Sequence, residues 1–280
     1  MIPFPLLETN EFIIFYKPPN WIVDTDTDYS NVTRDNLDKV LINRKPFHLY
    51  VKYYLEVYYG VTPDQDSYNC CQRLDKETSG AILVSIQNKN WMYMRSIINN
   101  KQNTHKIYIA LVEGIITKKS GYILNNIKCT KSFPIMCDTI PFDLNDKTSF
   151  YSCSYYEVAK EYELDGNMYS LVKVRIFTGR THQIRVHMKS IGHPIISDDR
   201  YSNKKVFLCD RMFLHNIYLG FTYKKHQYNV IVPVPYDLTD CLKSMTLKKT
   251  YNDIYEFHTM KRVKNIIEDV HEDIKEDVPN

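Results

Sequence analysis

Glycine is scarce in this sequence, with eight glycines among 280 residues, against about 7% in an average globular chain. Because so few are used, each glycine is expected to mark a position where the backbone needs a conformation that other residues avoid. Internal repeats and long low-complexity segments are also missing. The composition is otherwise ordinary, with 44% hydrophobic and 25% charged residues, as in globular proteins.

A long hydrophobic run is absent, since no stretch approaches the roughly 18 residues that a membrane-spanning helix needs. Residues 1–5 do not form a basic segment followed by an apolar stretch, so a secretory signal is not expected. These absences exclude a membrane protein. The length of 280 residues allows one large domain or two ordinary ones, with a well-developed core.

A paired cysteine pattern is missing too. The seven cysteines are an odd number, none stands in C-x-x-C, and Cys70 and Cys71 are adjacent. We therefore expect neither a disulfide framework nor a tetrahedral zinc site. A reducing, intracellular compartment fits best, with the cytoplasm as the expected location and an organelle as the open alternative.

Charge is distributed unevenly along the chain. The net charge is +3, but residues 265–280 hold six acids and one base, so the rest of the chain carries +8. Apolar residues recur at helical spacing in the same region, which predicts an acidic amphipathic helix or tail over residues 261–280. A basic body suits a polyanionic partner, although charge alone favours scattered lysines on a solvated surface.

The apolar periodicity predicts strands separated by isolated helices. The stretch 117–154 has no clear period and is interpreted as loops and short strands, and 35–59 mixes helical spacing with tyrosines. This order indicates an α+β fold rather than a regular βαβ repeat. Strands are predicted over 12–16, 81–86, 106–113 and 168–177, and helices over 90–99 and 181–191.

Polar side chains are densest over residues 179–187, at a predicted junction of strand and helix. His182, Arg185 and Lys189 would share one helix face, which could clamp phosphates, orient a carboxylate or simply meet water. Residues 72–80 form a second cluster, in which Asp75 lies between basic neighbours just before a strand. Taken alone, a solvated helix face and a capping aspartate explain the two clusters.

Three segments stand out when they are taken together. They read R-L-D-x-x-T-S-G at residues 73–80, K-x-Y-x-A-x-V-x-G at 106–114 and G-R-T-H-Q-I-R-V-H at 179–187. In this order they resemble the signature segments of the RluA family of pseudouridine synthases, and the third is far more specific than a lone glycine motif. The likeness spans about residues 12–235 and also includes Tyr16-Lys17-Pro18-Pro19, Gly192-His193-Pro194-Ile195 with Asp198 and Tyr201, and Leu214-His215.

The resemblance implies a catalytic role for three residues. Asp75 becomes the catalytic aspartate, Tyr108 the aromatic residue against the target uracil, and Arg185 the ion partner of Asp75. Such an aspartate can attack the sugar or the base, or stabilise a charged sugar intermediate, and then remove a proton. A guanidinium nearby keeps a carboxylate ionised in a pocket that excludes water.

RNA contacts are expected from the polar residues nearest these three. A uridine inside a helix must be flipped out of the stack, and phosphate and stacking contacts have to offset the cost. Gln183 has an alternative role, since it could stabilise its loop internally. The candidates are Arg73, Lys76, Arg180, His182 and Gln183.

The sequence departs from the family at three places. Gln72 stands where the family usually has histidine, Ser197 where a glycine is frequent, and Pro19-Asn20 replaces a small-residue turn. The replacement of histidine keeps hydrogen bonding but removes a titratable ring. Only about 11 residues precede the first predicted strand, so the family's small N-terminal RNA-binding domain is expected to be missing.

The resulting prediction is an α+β chain with a pseudouridine synthase-like bent mixed or antiparallel sheet and flanking helices. A single catalytic domain over residues 1–260 would isomerise uridines in structured RNA, either ribosomal or transfer RNA, as a monomer without metal or cofactor. One alternative is an inactive RNA-binding protein of the same fold. Another is a carboxylate hydrolase, which would need a second, paired carboxylate.

Overall fold

A computed structural model describes residues 1–23, 29, 31–64, 68–131, 135–143, 145–146, 148–202 and 208–262. They belong to two compact units. The first unit comprises Met1–Asn100 and Leu214–Pro233, and the second comprises Lys101–Phe213 and the described residues from Val234 onwards. Within the described ranges, every helix is too short or too polar to cross a membrane.

The described residues form strands and helices in alternation. The helices are α1 (Arg34–Arg44), α2 (Phe47–Tyr59), α3 (Asn88–Ile98), α4 (Gln183–Ser190), α5 (Tyr236–Lys243) and α6 (His258–Arg262). The strands are β1 (Phe4–Glu8), β2 (Phe12–Lys17), β3 (Ser79–Ser85), β4 (Thr104–Glu113), β5 (Ser120–Cys129), β6 (Cys137–Ile140), β7 (Phe150–Leu164), β8 (Asn167–Ile176), β9 (Leu214–Tyr223), β10 (His226–Ile231) and β11 (Thr246–Thr250).

In the first unit the strands pair in the order β1, β2, β3, β9 and β10. The pairing of β3 with β9 is parallel, at Ser79 opposite His215, and the other pairs are antiparallel. Every residue of β2 and β3 is buried, which explains why both read as continuous apolar runs. Helix α3 covers this sheet with Met94 and Ile98, which lie four residues apart and so share one face of the helix.

The second unit is antiparallel, with strands in the order β4, β8, β7, β5 and β6. Strand β7 is 15 residues long. Its first half pairs with β5, whereas its second half pairs with β11, as at Glu163 opposite Thr246. The two units together confirm the predicted α+β class and its mixed and antiparallel strand pairing.

The prediction of loops and short strands for residues 117–154 is confirmed only in part. The four-residue strand β6 fits it, but β5 is ten residues long and the long strand β7 begins at Phe150. Asn126, Ser152 and Ser154 are fully or almost fully buried there, so polar residues interrupt the apolar alternation on which strand prediction relies. Each of them is hydrogen-bonded inside the fold, and Asn126, for example, donates to Ser149 Oγ at 3.0 Å.

The expectation of no disulfides is wrong. Cys129 is bonded to Cys137, and Cys209 to Cys241. The first pair forms because the register of β5 and β6 places the two cysteines directly opposite each other, which an odd cysteine count does not reveal. The predicted acidic helix or tail over 261–280 lies almost wholly outside the described residues, which end with α6. The single domain over residues 1–260 stays a prediction.

Candidate active site and its supporting residues

The loop that carries Asp75 is pinned to strand β3. The backbone N–H of Cys71 donates to the carbonyl of Leu83 at 2.9 Å, and the side-chain amide of Gln72 donates to the carbonyl of Ala81 at 3.0 Å. The segment before Asp75 is therefore fixed against the strand that follows it. Gln72, which replaces the histidine usual in the family, uses its hydrogen-bonding capacity for this purpose.

Asp75 opens the tight turn at the tip of that loop. The N–H of Thr78 donates to the carbonyl of Asp75 at 3.1 Å, and aspartate is favoured at the first position of such turns. The side chain of Asp75 is half-buried, whereas those of Arg73 and Lys76 are exposed. The turn thus holds a carboxylate at a fixed position, with a cationic side chain on either side of it in the sequence.

A buried lysine holds the same turn in place through hydrogen bonds to backbone carbonyls. Lys17 is fully buried at the end of β2, and its ammonium group donates to the carbonyls of Pro18 at 3.0 Å, Trp21 at 2.8 Å and Lys76 at 3.0 Å. The N–H of Asn20 donates to the Lys76 carbonyl as well, at 2.8 Å. Asn20 has a φ of +67°, a conformation that asparagine tolerates better than most residues. Lys17 and Asn20 therefore fix the backbone of the residue that follows Asp75.

The end of the Asp75 segment meets strand β9. Ser79 and His215 are fully buried, with Ser79 Oγ 2.8 Å from His215 Nδ1, while His215 Nε2 lies 3.2 Å from the carbonyl of Val232. Gly80 has a φ of +136°, and a β-carbon there would lie 2.5 Å from Cβ of Asn216. The glycine of the first signature segment is thus required both by its backbone conformation and by this close approach.

Tyr108 lies in the middle of β4 and is 6% exposed. The antiparallel register places it opposite Val174, which in turn lies opposite Tyr156. Residues directly opposite each other share a face, and so do alternate residues of one strand. Tyr108 therefore shares a face with Ser154 of β7, to which His187 of α4 is hydrogen-bonded. The strands bring Tyr108 to the face of the second unit that carries α4.

Arg185 is buried in α4, with 6% of its surface exposed. Its Nε and Nη2 atoms donate to the two carboxylate oxygens of Asp198 at 2.8 and 2.7 Å, and Asp199 lies 3.9 Å from Nη2. Asp198 also accepts the N–H groups of Arg200 and Tyr201. This two-pronged geometry holds the guanidinium plane in one orientation, so the alternative of a solvated helix face does not apply to Arg185.

His182 precedes α4 rather than lying within it, because the helix begins at Gln183. It has a φ of +55°. The N–H of Cys137 donates to the Tyr201 hydroxyl at 2.9 Å, and this hydroxyl lies 2.7 Å from Nδ1 of His182. The Tyr201 hydroxyl thus links His182 to the backbone of β6. His182 is half-buried and so remains accessible.

Gln183 is buried, and its side-chain amide is used inside the fold. Oε1 accepts the Thr178 hydroxyl at 2.7 Å and the N–H of Arg180 at 3.1 Å. Nε2 donates to the Cys153 carbonyl at 3.0 Å and to Ser154 Oγ at 2.9 Å. This arrangement supports the alternative in which Gln183 stabilises its loop, and its contact with RNA stays a prediction.

His187 continues the same network and is fully buried. Ser152 Oγ donates to the carbonyl of Asn125, so it accepts a proton from Nε2 of His187 at 2.7 Å, while Nδ1 accepts from Ser154 Oγ at 2.9 Å. Burial lowers the pKa of His187 from 6.5 to about 3. The ring is therefore neutral and joins α4 to β7.

Ser197 takes the place of a glycine that is frequent in the family. Its φ is +56°, which explains why the family often uses glycine there. Ser197 is buried, and its Oγ accepts the N–H of Cys209 at 3.2 Å. The serine thus keeps the left-handed turn that leads into Asp198 and adds a hydrogen bond to it.

The predicted residues fall into two groups, one in each unit. Arg73, Asp75 and Lys76 share one loop of the first unit, whereas the second unit gathers Arg180, His182, Gln183 and Arg185 around the start of α4. The pairing of Asp75 with Arg185 stays a prediction. Among the described residues, no group of three or more histidine, cysteine, aspartate or glutamate side chains is placed to hold a metal ion.

Sequence reasoning missed several supporting residues. The family resemblance marked the segments of Lys17, Asp198, Tyr201 and His215, but it did not indicate what their side chains contact. Ser152 carried no signal at all, since a serine that is buried by pairing with a histidine 35 residues away follows no local pattern.

Comparison with known proteins identifies the family. Residues 11–190 match the family model described as RNA pseudouridylate synthase. This match covers more than half of the chain, which therefore belongs to the RNA pseudouridylate synthase family. The resemblance to RluA-type enzymes is confirmed by the curated relatives.

Two bacterial relatives illustrate the similarity. The ribosomal large subunit pseudouridine synthase C of Rickettsia felis is 34% identical over 172 residues, which cover 60% of this chain and 53% of the relative. The dual-specificity RNA pseudouridine synthase RluA of Vibrio parahaemolyticus is 35% identical over 172 residues, which cover 59% of this chain and 64% of the relative. The match thus spans between about half and two thirds of the length of these relatives.

Solved structures show the same fold. Human RNA pseudouridylate synthase domain containing 1 has a TM-score of 0.65 at 19% identity, with 94% of this chain and 95% of the human chain covered. Human RNA pseudouridylate synthase domain containing 4 has a TM-score of 0.61 at 16% identity, with coverage of 88% and 94%. The predicted fold is confirmed by these structural neighbours.

Proposed function

We propose that this chain is an RNA pseudouridine synthase, which isomerises chosen uridines of structured RNA to pseudouridine. Family membership supports the proposal. The observation that carries it is the Asp75 turn, where Lys17 and Asn20 hold the backbone next to a half-buried carboxylate. A catalytic group has to be held in place before its substrate arrives, because misplacement by about 1 Å can cost a factor of a hundred in rate.

The reaction needs one anionic group and no oxidant. The bond from the sugar carbon C1′ to ring nitrogen N1 breaks, the uracil turns, and C1′ joins ring carbon C5. The hydrogen at C5 leaves as a proton and N1 gains one, so atoms and electrons balance. Asp75 can supply the anion, either as a nucleophile or as the group that stabilises a charged sugar, and can then accept the C5 proton.

Tyr108 and Arg185 complete the proposed active site. Tyr108 would stack on the target uracil, a contact worth about 1–3 kcal/mol per base in single-strand binders. Arg185, whose Nε and Nη2 atoms are held by Asp198, is proposed as the ion partner of Asp75. A guanidinium within about 4–6 Å favours the ionised form of a carboxyl group.

The RNA backbone would be bound by exposed and half-buried cations around these residues. Arg73 and Lys76 are exposed beside Asp75, and Arg180 and His182 are half-buried at the start of α4. Their contacts with phosphates would offset the cost of flipping the uridine out of the stack. We propose ribosomal or transfer RNA as the substrate and action as a monomer without metal or cofactor. The two disulfides remove the cysteine argument for a cytoplasmic location.

A tritium-release assay with Asp75→Asn tests the proposal. Ribosomal and transfer RNA transcripts made with uridine tritiated at C5 lose tritium when C5 joins the sugar, so released tritium counts the turnovers. The wild-type protein should release tritium, and Asp75→Asn should abolish the release. RNA binding should persist, because phosphate contacts and stacking need no anion at this position.

Glu77→Gln is the matched control, since it removes the other carboxylate of the same segment and should keep turnover within about threefold. Release by Asp75→Asn at the wild-type rate would remove Asp75 as the catalyst. A wild-type protein that binds these RNAs but releases no tritium would favour the inactive RNA-binding alternative, and free uracil in the products would favour a hydrolase.

A further inference from the structure

One large apolar side chain stands out on the second unit. Phe150, the first residue of β7, is 62% exposed. The guanidinium carbon of Arg180 lies 5.4 Å from the centre of its ring and 5.3 Å from that of Tyr151. Lys101 Nζ lies 4.8 Å from the Tyr151 ring centre and donates to the Tyr151 hydroxyl at 2.8 Å. Two aromatic rings and two cations therefore form one cluster.

The guanidinium group of Arg180 is placed so that it can bind a phosphate. Its Nε donates to the Tyr151 carbonyl at 3.1 Å, which fixes the side chain beside the two rings. Within the part of the chain that the structure describes, its terminal nitrogens Nη1 and Nη2 have no hydrogen-bond acceptor. A half-buried guanidinium with such nitrogens can bind a phosphate with two parallel hydrogen bonds.

Strand register relates this cluster to Tyr108. Phe150 and Ser154 are both even-numbered residues of β7 and share a face, which is the face that carries α4 and Tyr108. Six residues separate Phe150 from Tyr156, the β7 residue in the row of Tyr108, or about 20 Å along the strand. Phe150 therefore lies on the Tyr108 face, a few nucleotides from the position where a flipped uracil would stack. Tyr151, with Lys101 on it, points towards the opposite face, and Arg180 joins the two rings at the end of the strand.

We propose that Phe150, Tyr151, Arg180 and Lys101 form a binding surface for single-stranded RNA that flanks the target uridine. This inference rests on the proposed function and extends it beyond the signature segments. An exposed flat ring stacks on any base, and the two cations complement the phosphates. Asp146, four residues before Phe150 in the sequence, has its carboxylate bound within its own turn by Thr148 and Ser149 at 2.6–2.7 Å.

Binding of a fluorescently labelled, unstructured 12-nucleotide RNA tests this surface. Phe150→Leu, which keeps an apolar side chain but removes the flat ring, should weaken binding about tenfold, and Phe150→Tyr should retain it. Arg180→Gln should weaken binding and lower the slope of log affinity against log salt by about one, whereas Phe150→Leu should leave that slope unchanged.

Tyr236→Leu is the matched control. Tyr236 is also an exposed aromatic residue, 72% accessible, with Lys243 Nζ 5.1 Å from its ring centre, but it lies on α5. Equal losses from Phe150→Leu and Tyr236→Leu would overturn the proposed surface, and so would wild-type affinity in Phe150→Leu.

Tritium release by the same preparations separates this inference from the proposed function. If the wild-type protein releases tritium and Phe150→Leu keeps both affinity and turnover, the function stands and the surface is wrong. If Phe150→Leu weakens binding but the wild-type protein releases no tritium, the surface stands and the proposed function is wrong.

Discussion

Arg185 shows how a charged side chain is stabilised inside this fold. Sequence spacing placed it on a helix face where solvent was the simplest expectation, yet it is buried against Asp198, thirteen residues further along. Removing one member of such a pair is costly because the other charge stays buried without its partner. In the proposed active site Asp198 would therefore be a positioning residue, since it sets the orientation of the Arg185 guanidinium.

Asp198→Asn should lower kcat about 10- to 100-fold, because the amide cannot hold the guanidinium with two charged hydrogen bonds and small displacements cost rate. The KM for RNA should stay within about threefold, since phosphate contacts elsewhere are unchanged. Tritium release at several concentrations of a transcript that the wild-type protein modifies measures both constants.

Asp199→Asn is the control, because Asp199 loses the same charge from a side chain that is 61% exposed and only approaches Arg185 at 3.9 Å. It should retain kcat within about twofold. A fall in kcat of equal size in the two variants would mean that net charge near α4, rather than the orientation of Arg185, matters for the reaction.

Around the Asp75 turn, the sequence predicts which residues matter but not which contacts hold them. The first signature segment indicated Asp75 as the candidate catalytic residue. The low glycine content of the chain correctly indicated that Gly80 meets a backbone requirement. Lys17 was visible only as part of a lysine-proline segment. Its hydrogen bonds to three backbone carbonyls depend on how β2 and the turn meet, and no local pattern encodes a contact across 59 residues.

At the scale of elements, prediction succeeded where a run or an alternation of apolar residues survives along the strand or helix. Strands β2, β3, β4 and β8 and helix α3 were found in this way, although β8 also buries Ser170, Lys173 and Arg175. The full length of β5 and the first half of β7 were missed because buried asparagine and serine residues interrupt the apolar pattern there. Those polar residues are stabilised by partners on other elements, including α4. The local sequence pattern of the strands therefore does not predict that they are buried.

His187, which joins α4 to β7, makes the stability of the fold depend on pH. His187 has a pKa of about 3 in the fold and about 6.5 in the unfolded chain, so between these values only the unfolded chain binds the proton. Its contribution to stability is therefore complete above pH 6.5 and is lost as the pH falls towards 3. From pH 7 to pH 5 the free energy of unfolding should fall by about 2 kcal/mol through this residue.

Urea unfolding of the wild-type protein and of His187→Gln at pH 7 and pH 5 measures this contribution. Glutamine can donate and accept but does not titrate in this range, so the variant should lose less stability on acidification. His226→Gln, a change at an exposed histidine of β10, serves as the comparison and should behave as the wild-type protein does. An unchanged pH dependence in His187→Gln would show that the ring is not kept neutral.

At the scale of the whole molecule, charge separates the acidic C-terminal segment from the rest. Residues 265–280 carry −5 and residues 1–264 carry +8. A positive body attracts RNA over a distance set by ionic screening, about 10 Å at 0.1 M salt. Any negative segment attached to that body competes with RNA for the same cations, whatever conformation it takes.

Deleting residues 265–280 should therefore strengthen RNA binding severalfold at about 50 mM salt and change it less than twofold at about 300 mM, because screening removes the repulsion. Turnover at saturating RNA should be unchanged. A second variant, in which the six acids become asparagine or glutamine, keeps the length and should reproduce the tighter binding.

If truncation tightens binding but neutralisation does not, the segment obstructs RNA by its bulk. If neither variant changes affinity at low salt, the charge of the segment does not act on bound RNA. Slower turnover by a folded truncated protein would mean that the segment takes part in the reaction.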